Sequence, residues 1–158
     1  FDTKAIAAIE TNQTKIIANP NCRKMLNRGQ EMKNGDVLQL AKDIKLEAVP
    51  AYNTTPGRDK FHPKGRDNGY ILTLGETRIY IAGDTEDIPE LNQVKDIDIA
   101  FLPVNQPYTM TPEQAIRAAK IIKPRVLYPY HYGETDIHKV KDGLKNETGT
   151  EVRIRALQ

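Results

Sequence analysis

The stretch Thr77-Arg-Ile-Tyr-Ile-Ala-Gly-Asp-Thr-Glu-Asp-Ile-Pro89 constrains this chain most. Ile79, Ile81 and Gly83 fall on one side of an extended segment, and Arg78, Tyr80 and Ala82 on the other. β-Branched and aromatic residues at period two favour a strand. Gly83 lets the backbone turn, and Asp84 sits where the strand ends. A carboxylate there needs a partner before it can be buried. A metal, an arginine or the N–H groups of the next turn would serve. A plain Asx-turn or helix N-cap ahead of Asp87-Ile-Pro-Glu-Leu91 also accounts for the same residues.

The segments around this stretch alternate between helix and strand. Residues 3–10 read as a helix capped by Asp2 or Thr3, with Ile6 and Ile9 as its apolar stripe. A strand over 14–18 is centred on Ile16-Ile17, and a helix over 22–27 is capped by Asn21 and ended by Gly29. After a turn at Asn34-Gly35-Asp36, residues 37–40 and 44–49 alternate as strands. A β-hairpin about Gly75-Glu76 joins 69–75 to 77–82. Residues 98–104 form a near-continuous apolar run, the mark of a buried strand. Thr111-Pro-Glu-Gln114 has the spacing of a capping box, and Ala115, Ala119 and Ile122 make the inner stripe of a helix that stops at Pro124. A strand over 125–130 delivers His131, a helix spans 136–147, and Val152, Ile154 and Ala156 alternate in a last strand. This pattern predicts a single α/β domain over residues 1–158.

Composition narrows the function classes. The formal net charge is only +2, and no basic stripe is interleaved with aromatics, so nucleic acid is not an expected partner. No apolar run reaches transmembrane length, so no membrane partner is expected. The single cysteine, Cys22, excludes an internal disulfide and favours a reducing compartment, so the expected location is the cytoplasm.

Residues 50–69 hold Pro50, Pro56, Pro63, Gly57, Gly65 and Gly69 and have no periodicity. An irregular segment of this length inside a compact domain is either functional or simply solvated. It carries His62 and the cations Arg58, Lys60, Lys64 and Arg66, which suit an anionic group or plain solubility. Strand ends and loops converge on one rim of an α/β structure. That rim would receive His62, Asp84 and His131, a donor set suited to a divalent metal such as zinc. Taken singly, His62 also reads as an exposed loop histidine, and His131, between Tyr130 and Tyr132, as a packed one. His138 lies on an exposed helix surface and stays out of the set. Tyr52, Tyr108 and Tyr132 line the mouth of such a site or pack as ordinary rim residues.

One family shares these features in order: Phe61-His-Pro-Lys-Gly65, Ile79-Tyr-Ile-Ala-Gly-Asp-Thr85, Asp98-Ile-Ala-Phe-Leu-Pro103, Tyr108-Thr-Met110 and Pro129-Tyr-His-Tyr-Gly133. From about Asp36 onward the chain resembles the metallo-β-lactamase-fold hydrolases, nearest the ascorbate-phosphate-lactonase-like branch. The resemblance implies a four-layer α/β/β/α sandwich with two divalent metal ions at one rim, zinc first and manganese or iron as alternatives. By the same resemblance Asp84 bridges the metals, His131 is the last ligand of the second and His62 the remaining ligand of the first. Many relatives carry that histidine nearer the position of Tyr52 or Asn53. The nucleophile implied is a metal-bound hydroxide acting on a small ester, lactone, amide or phosphodiester. Arg58, Lys64, Arg66 and Tyr108 would bind that substrate. A metal-free binding or regulatory module and a nuclease on the same fold are the alternatives.

The family's His-x-His-x-Asp-His motif is absent, and in relatives it is followed by a Phe-Asp or Leu-Asp pair like Phe1-Asp2. The chain therefore resembles the C-terminal portion of a longer domain, inactive alone, whose missing N-terminal segment is its partner. Ile71, Ile79, Ile81 and Phe101 are expected to lose their cover without that segment.

Overall fold

The computed structural model describes residues 1–157. Helix α1 (Thr3–Ile9), strand β1 (Ile17–Ala18), helix α2 (Pro20–Leu26) and strand β2 (Gln30–Glu31) lead into β3 (Val37–Ala41), β4 (Ile44–Ala51), β5 (Asp67–Leu74) and β6 (Thr77–Ile81). A 3-10 turn (Pro89–Gln93), β7 (Ile99–Pro103), α3 (Pro112–Ile122), β8 (Val126–Tyr130), α4 (His138–Gly143) and β9 (Glu151–Val152) follow.

Strands β3 to β9 form one seven-stranded sheet in sequential order. The pairs β3–β4, β4–β5 and β5–β6 are antiparallel, while β6–β7, β7–β8 and β8–β9 are parallel. Strands β4, β6, β7 and β8 consequently run the same way and end on one rim. On the helix side of the parallel strands Tyr80, Ala100, Leu102 and Leu127 are fully buried.

Helix α3 crosses between β7 and β8, and its start follows from its sequence. Thr111 accepts from the Gln114 amide at 3.1 Å while Gln114 accepts from the Thr111 amide at 2.8 Å, a closed capping box with Pro112 in the first turn. Its buried side is Ala115, Ala118, Ala119 and Ile122. Three alanines let the helix lie close to Tyr80, Ala100, Leu102 and Leu127 in the core cluster. Val140 and Leu144 complete the same layer.

The opposite face is a different matter. Leu72, Ile79, Ile99 and Val126 stand in register across four strands, and all four are only partly buried. Ile81 pairs with Phe101, and Phe101 stacks on Tyr128 with centroids 5.2 Å apart. Ile81 remains 39% exposed. Ile71 departs from expectation, because it sits on the covered face at 4% exposure. Period two forces this: its neighbours Tyr70 and Leu72 face the other way.

Several boundaries also differ. Helix α2 starts at Pro20, capped by Asn19, whose side chain accepts from the Cys22 amide at 2.7 Å. Proline needs no N–H partner in the first turn, so the cap moves upstream of the predicted Asn21. The helix ends at Asn27 in the left-handed region, before Gly29. The strand predicted over 14–18 shrinks to β1, which pairs in parallel with the unforeseen β2. Helix α4 and strand β9 are shorter than their periodic patterns, spanning His138–Gly143 and Glu151–Val152.

Candidate functional site

The site lies where β4, β6 and β8 end. Past β6, Gly83 takes φ 67, and a Cβ there would sit 2.7 Å from the Asn68 carbonyl oxygen. Only glycine fits that crossing, and it turns Asp84 out of the sheet. Past β8, His131 adopts φ 47, unusual for a residue with a side chain. Its amide donates to the Leu157 carbonyl at 2.7 Å, which ties the C-terminal segment to the turn. The loop leaving β4 returns to β5 on the same rim, because Ala51 and Asp67 are register partners, and it carries His62 back with it.

The three side chains meet. His131 Nδ1 lies 3.0 Å from Asp84 Oδ1, and His62 Nε2 lies 3.6 Å from Asp84 Oδ2. His62 Nδ1 lies 3.0 Å from Asp67 Oδ2. Burial pushes the Asp67 carboxyl up, but the bonds from His62 and Arg66 outweigh it and hold the group below the usual carboxylate range. An ionised carboxylate only accepts, so the proton of a neutral His62 belongs on Nδ1 and the Nε2 lone pair faces Asp84. A ring nitrogen held by an outer carboxylate is the usual support for a metal-binding histidine.

This donor set can be tested against a metal. Two ligands at about 2.1 Å from one zinc in tetrahedral array stand about 3.4 Å apart. The 3.6 Å separation of His62 Nε2 and Asp84 Oδ2 is close to that spacing. Two electron-pair donors facing one another repel unless a proton or a cation lies between them. His131 Nδ1, by contrast, is engaged with Asp84 directly. Among the described residues no group of three or more His, Cys, Asp or Glu side chains makes a metal site by itself. The residues present therefore fit one side of a metal centre and leave further ligand positions to be filled. A cleft of about 380 Å³ opens beside them, with Phe1, Asn19, Cys22, Met25, His62 and Asp84 among its walls.

The residues proposed for substrate contact scatter. Arg58 turns inward, where Nε donates to Pro107 O at 2.9 Å and Nη2 to Thr109 O, and it pairs with Glu86. Lys64 bonds Tyr52 Oη at 3.1 Å and Glu90 at 3.0 Å, with its side chain 68% exposed. Arg66 is held by Asp67 at 2.7 Å and lines the same cleft as His62. Tyr108 is exposed and meets Phe61 edge-on at 4.9 Å. Tyr52 is buried, and Asn53 is buried with its amide donating to Arg58 O and Tyr108 O.

Two important residues escaped the sequence reading. Asp67 stands five residues past His62 in an aperiodic segment, where spacing alone gives no signal; the pairing of β5 on β4 sets it beside the imidazole. Glu86 is fully buried although charged. Burial pushes its carboxyl up, but the amides and hydroxyls of Thr54 and Thr55 outweigh that and hold it below the usual range. Nothing local in Thr85-Glu86-Asp87 announces this.

The sequence profile of the beta-lactamase superfamily domain matches residues 3–132. A protein named UPF0173 metal-dependent hydrolase from Thermococcus onnurineus is 37% identical over 93 residues, which are 56% of this chain and 41% of that protein. One of the same name from Deinococcus radiodurans is 40% identical over 89 residues, 55% of this chain and 39% of that protein. The chain spans about half the length of the curated relatives it matches, from 39% to 54%. A crystal structure from Parabacteroides distasonis, of a protein whose description as a metal-dependent hydrolase is itself provisional, superposes with a TM-score of 0.95 at 62% identity. That match covers 99% of this chain and 71% of the other. A metallo hydrolase from Ignicoccus hospitalis shares the fold, with a TM-score of 0.80 at 23% identity over 98% of this chain and 70% of that one. With the profile covering most of its length, the chain belongs to the beta-lactamase superfamily domain family, alongside proteins named metal-dependent hydrolases.

Proposed function

We propose that this chain supplies His62, Asp84 and His131 to the two-metal centre of a hydrolase of small esters, lactones, amides or phosphodiesters. The observation that carries the reading is the meeting of those three side chains at one rim, with Asp67 behind His62. Zinc suits two imidazoles and a carboxylate, and within the superfamily we place the chain nearest the ascorbate-phosphate-lactonase-like branch. A divalent metal supplies two things when bound, a lowered pKa for coordinated water and polarisation of the substrate oxygen. Asp84 would supply negative charge to such a centre, and Asp67 fixes the His62 ring so that Nε2 faces Asp84. Arg66 lines the cleft but has Nε and Nη2 held by Asp67 and the Phe61 carbonyl, so it would meet an anionic substrate group through its remaining N–H groups, with Lys64 and Tyr108 as further contacts. Arg58 serves the scaffold instead, since its donors are taken by carbonyl groups and Glu86.

We further propose that sequence beyond this chain completes the ligand set and covers the apolar face of Ile79, Ile81 and Phe101. Three donors fall short of the three or four that each zinc takes. The chain matches only part of the length of its relatives, which supports a longer active unit. The free Cys22 accords with the reducing cytoplasm as the place of action.

The test is hydrolysis by the intact gene product over a panel of lactones, aryl esters and bis(p-nitrophenyl) phosphate, with Asp84→Asn alongside. Turnover of at least one class, lost in Asp84→Asn, is the expected result. Equal turnover by both proteins would reduce Asp84 to a turn residue.

A further inference from the structure

We propose that Glu86 is a positioning residue: its buried carboxylate pins the loop that carries His62 against the turn that carries Asp84. Glu86 Oε2 accepts from the Thr54 amide at 2.8 Å, the Thr54 hydroxyl at 3.0 Å, the Thr55 amide at 2.8 Å and the Thr55 hydroxyl at 2.9 Å. Oε1 lies 3.1 Å from Arg58 Nη2, an ion pair without hydrogen-bond alignment. The backbone joins in, because the Glu86 amide donates to Tyr52 O at 3.0 Å and the Tyr52 amide donates to Thr85 Oγ1 at 3.1 Å.

A charge taken out of water is retained only with compensation, and here the compensation comes from one loop. Leucine would fill the space but leave the two amides and two hydroxyls of Thr54 and Thr55 without an acceptor. Glutamine keeps the shape, yet it loses the charge and offers one oxygen where a carboxylate offers two.

The link to the site is short. Asn53, next to the clamped threonines, donates its amide to the His62 carbonyl at 2.8 Å. The Phe61 amide donates to Arg58 O at 3.1 Å. Arg58 extends the tie to a third strand-end loop through Pro107 O and Thr109 O. One carboxylate, two residues past Asp84, thus gathers the loop over 52–62 and, through Arg58, the loop over 105–109. Its effect on metal affinity rests on the metal-site reading above, whereas its effect on loop order does not.

The experiment uses the intact gene product with Glu86→Gln, Thr55→Val and the conservative Thr55→Ser. Amide hydrogen exchange is followed over 53–62 and over α3, and Zn²⁺ affinity is measured by chelator competition. Glu86→Gln is expected to speed exchange over 53–62 about tenfold or more, as loss of charge-assisted bonds implies, with α3 unchanged. Zn²⁺ affinity should fall about tenfold, the scale seen when an outer partner of a metal ligand is lost. Thr55→Val should act at the same amides to a smaller degree, and Thr55→Ser should restore them. Unchanged loop exchange in both Glu86→Gln and Thr55→Val overturns the proposal. So does equal acceleration of the loop and α3, which would make Glu86 a general stabilising group. Should Glu86→Gln not fold, the Thr55→Val and Thr55→Ser pair decides. A Zn²⁺ affinity unaffected by His62→Ala would sink the metal reading alone, and loop exchange would still decide the role of Glu86.

Discussion

Replacing Gly83 with alanine probes the turn that presents Asp84. Two penalties add at this position. A side chain at φ 67 enters the left-handed region, which costs roughly 1–2 kcal/mol. The new Cβ would also sit 2.7 Å from Asn68 O and 3.7 Å from Ala51 Cβ. The closer atom is backbone in β5 and cannot rotate away, so relief needs a shift of the strand, about 1–3 kcal/mol by analogy with overpacked cores. The sum, about 2–5 kcal/mol, is a large part of a typical stability of about 5–15 kcal/mol. Gly75→Ala isolates the first penalty, since Gly75 has φ 60 and nothing within 4 Å of its added Cβ. Urea unfolding of the intact gene product and both variants gives the comparison. Gly83→Ala should lose at least about 1 kcal/mol more than Gly75→Ala. Equal losses would mean that the Asn68 contact does not constrain the turn, and the account of how Asp84 leaves the sheet would fail.

Three further outcomes are expected. Asp67→Asn should weaken Zn²⁺ binding by the intact gene product about 10–100-fold in chelator competition, because His62 loses its ionised acceptor; unchanged affinity would deny Asp67 that role. Acid should destabilise the fold in part through Glu86. Its carboxyl is held below its ordinary 4.5, so its contribution is present above that pH and is lost as pH falls through the folded value; an acid limb identical in Glu86→Gln would contradict this. Residues 1–158 expressed alone should self-associate or melt without cooperativity, because each large apolar side chain left uncovered forgoes roughly 1.5–3 kcal/mol; a cooperative, monomeric melt would contradict the proposal that more sequence covers the sheet.

Local rules made much of this fold legible. Thr111-Pro-Glu-Gln114 carries its own helix start, and Gly75-Glu76 its own hairpin, because each bond closes within a few residues. The apolar run over 98–104 and the turn at Gly83-Asp84 were readable for the same reason. Glu86 was not, since its partners Thr54 and Thr55 lie 32 and 31 residues away. The β1–β2 pair was hidden likewise, each strand being two residues long. Arg58 shows the limit most clearly. A loop arginine reads as a ligand for anions, and only the fold reveals that carbonyl groups of a distant loop already take its donors. For His62, the sequence supplied the residue and the fold supplied its carboxylate support, Asp67.

Metal content per chain is the measurement closest to the central claim. The intact gene product, purified without chelator and dialysed against Zn²⁺, would be analysed beside His62→Ala, Asp84→Asn and His131→Ala. The account predicts two metal ions per chain in the parent protein and a reduced content in each variant, with Asp84→Asn lowest because both metals lose a ligand. A parent protein without metal, or a full complement retained in all three variants, would contradict it.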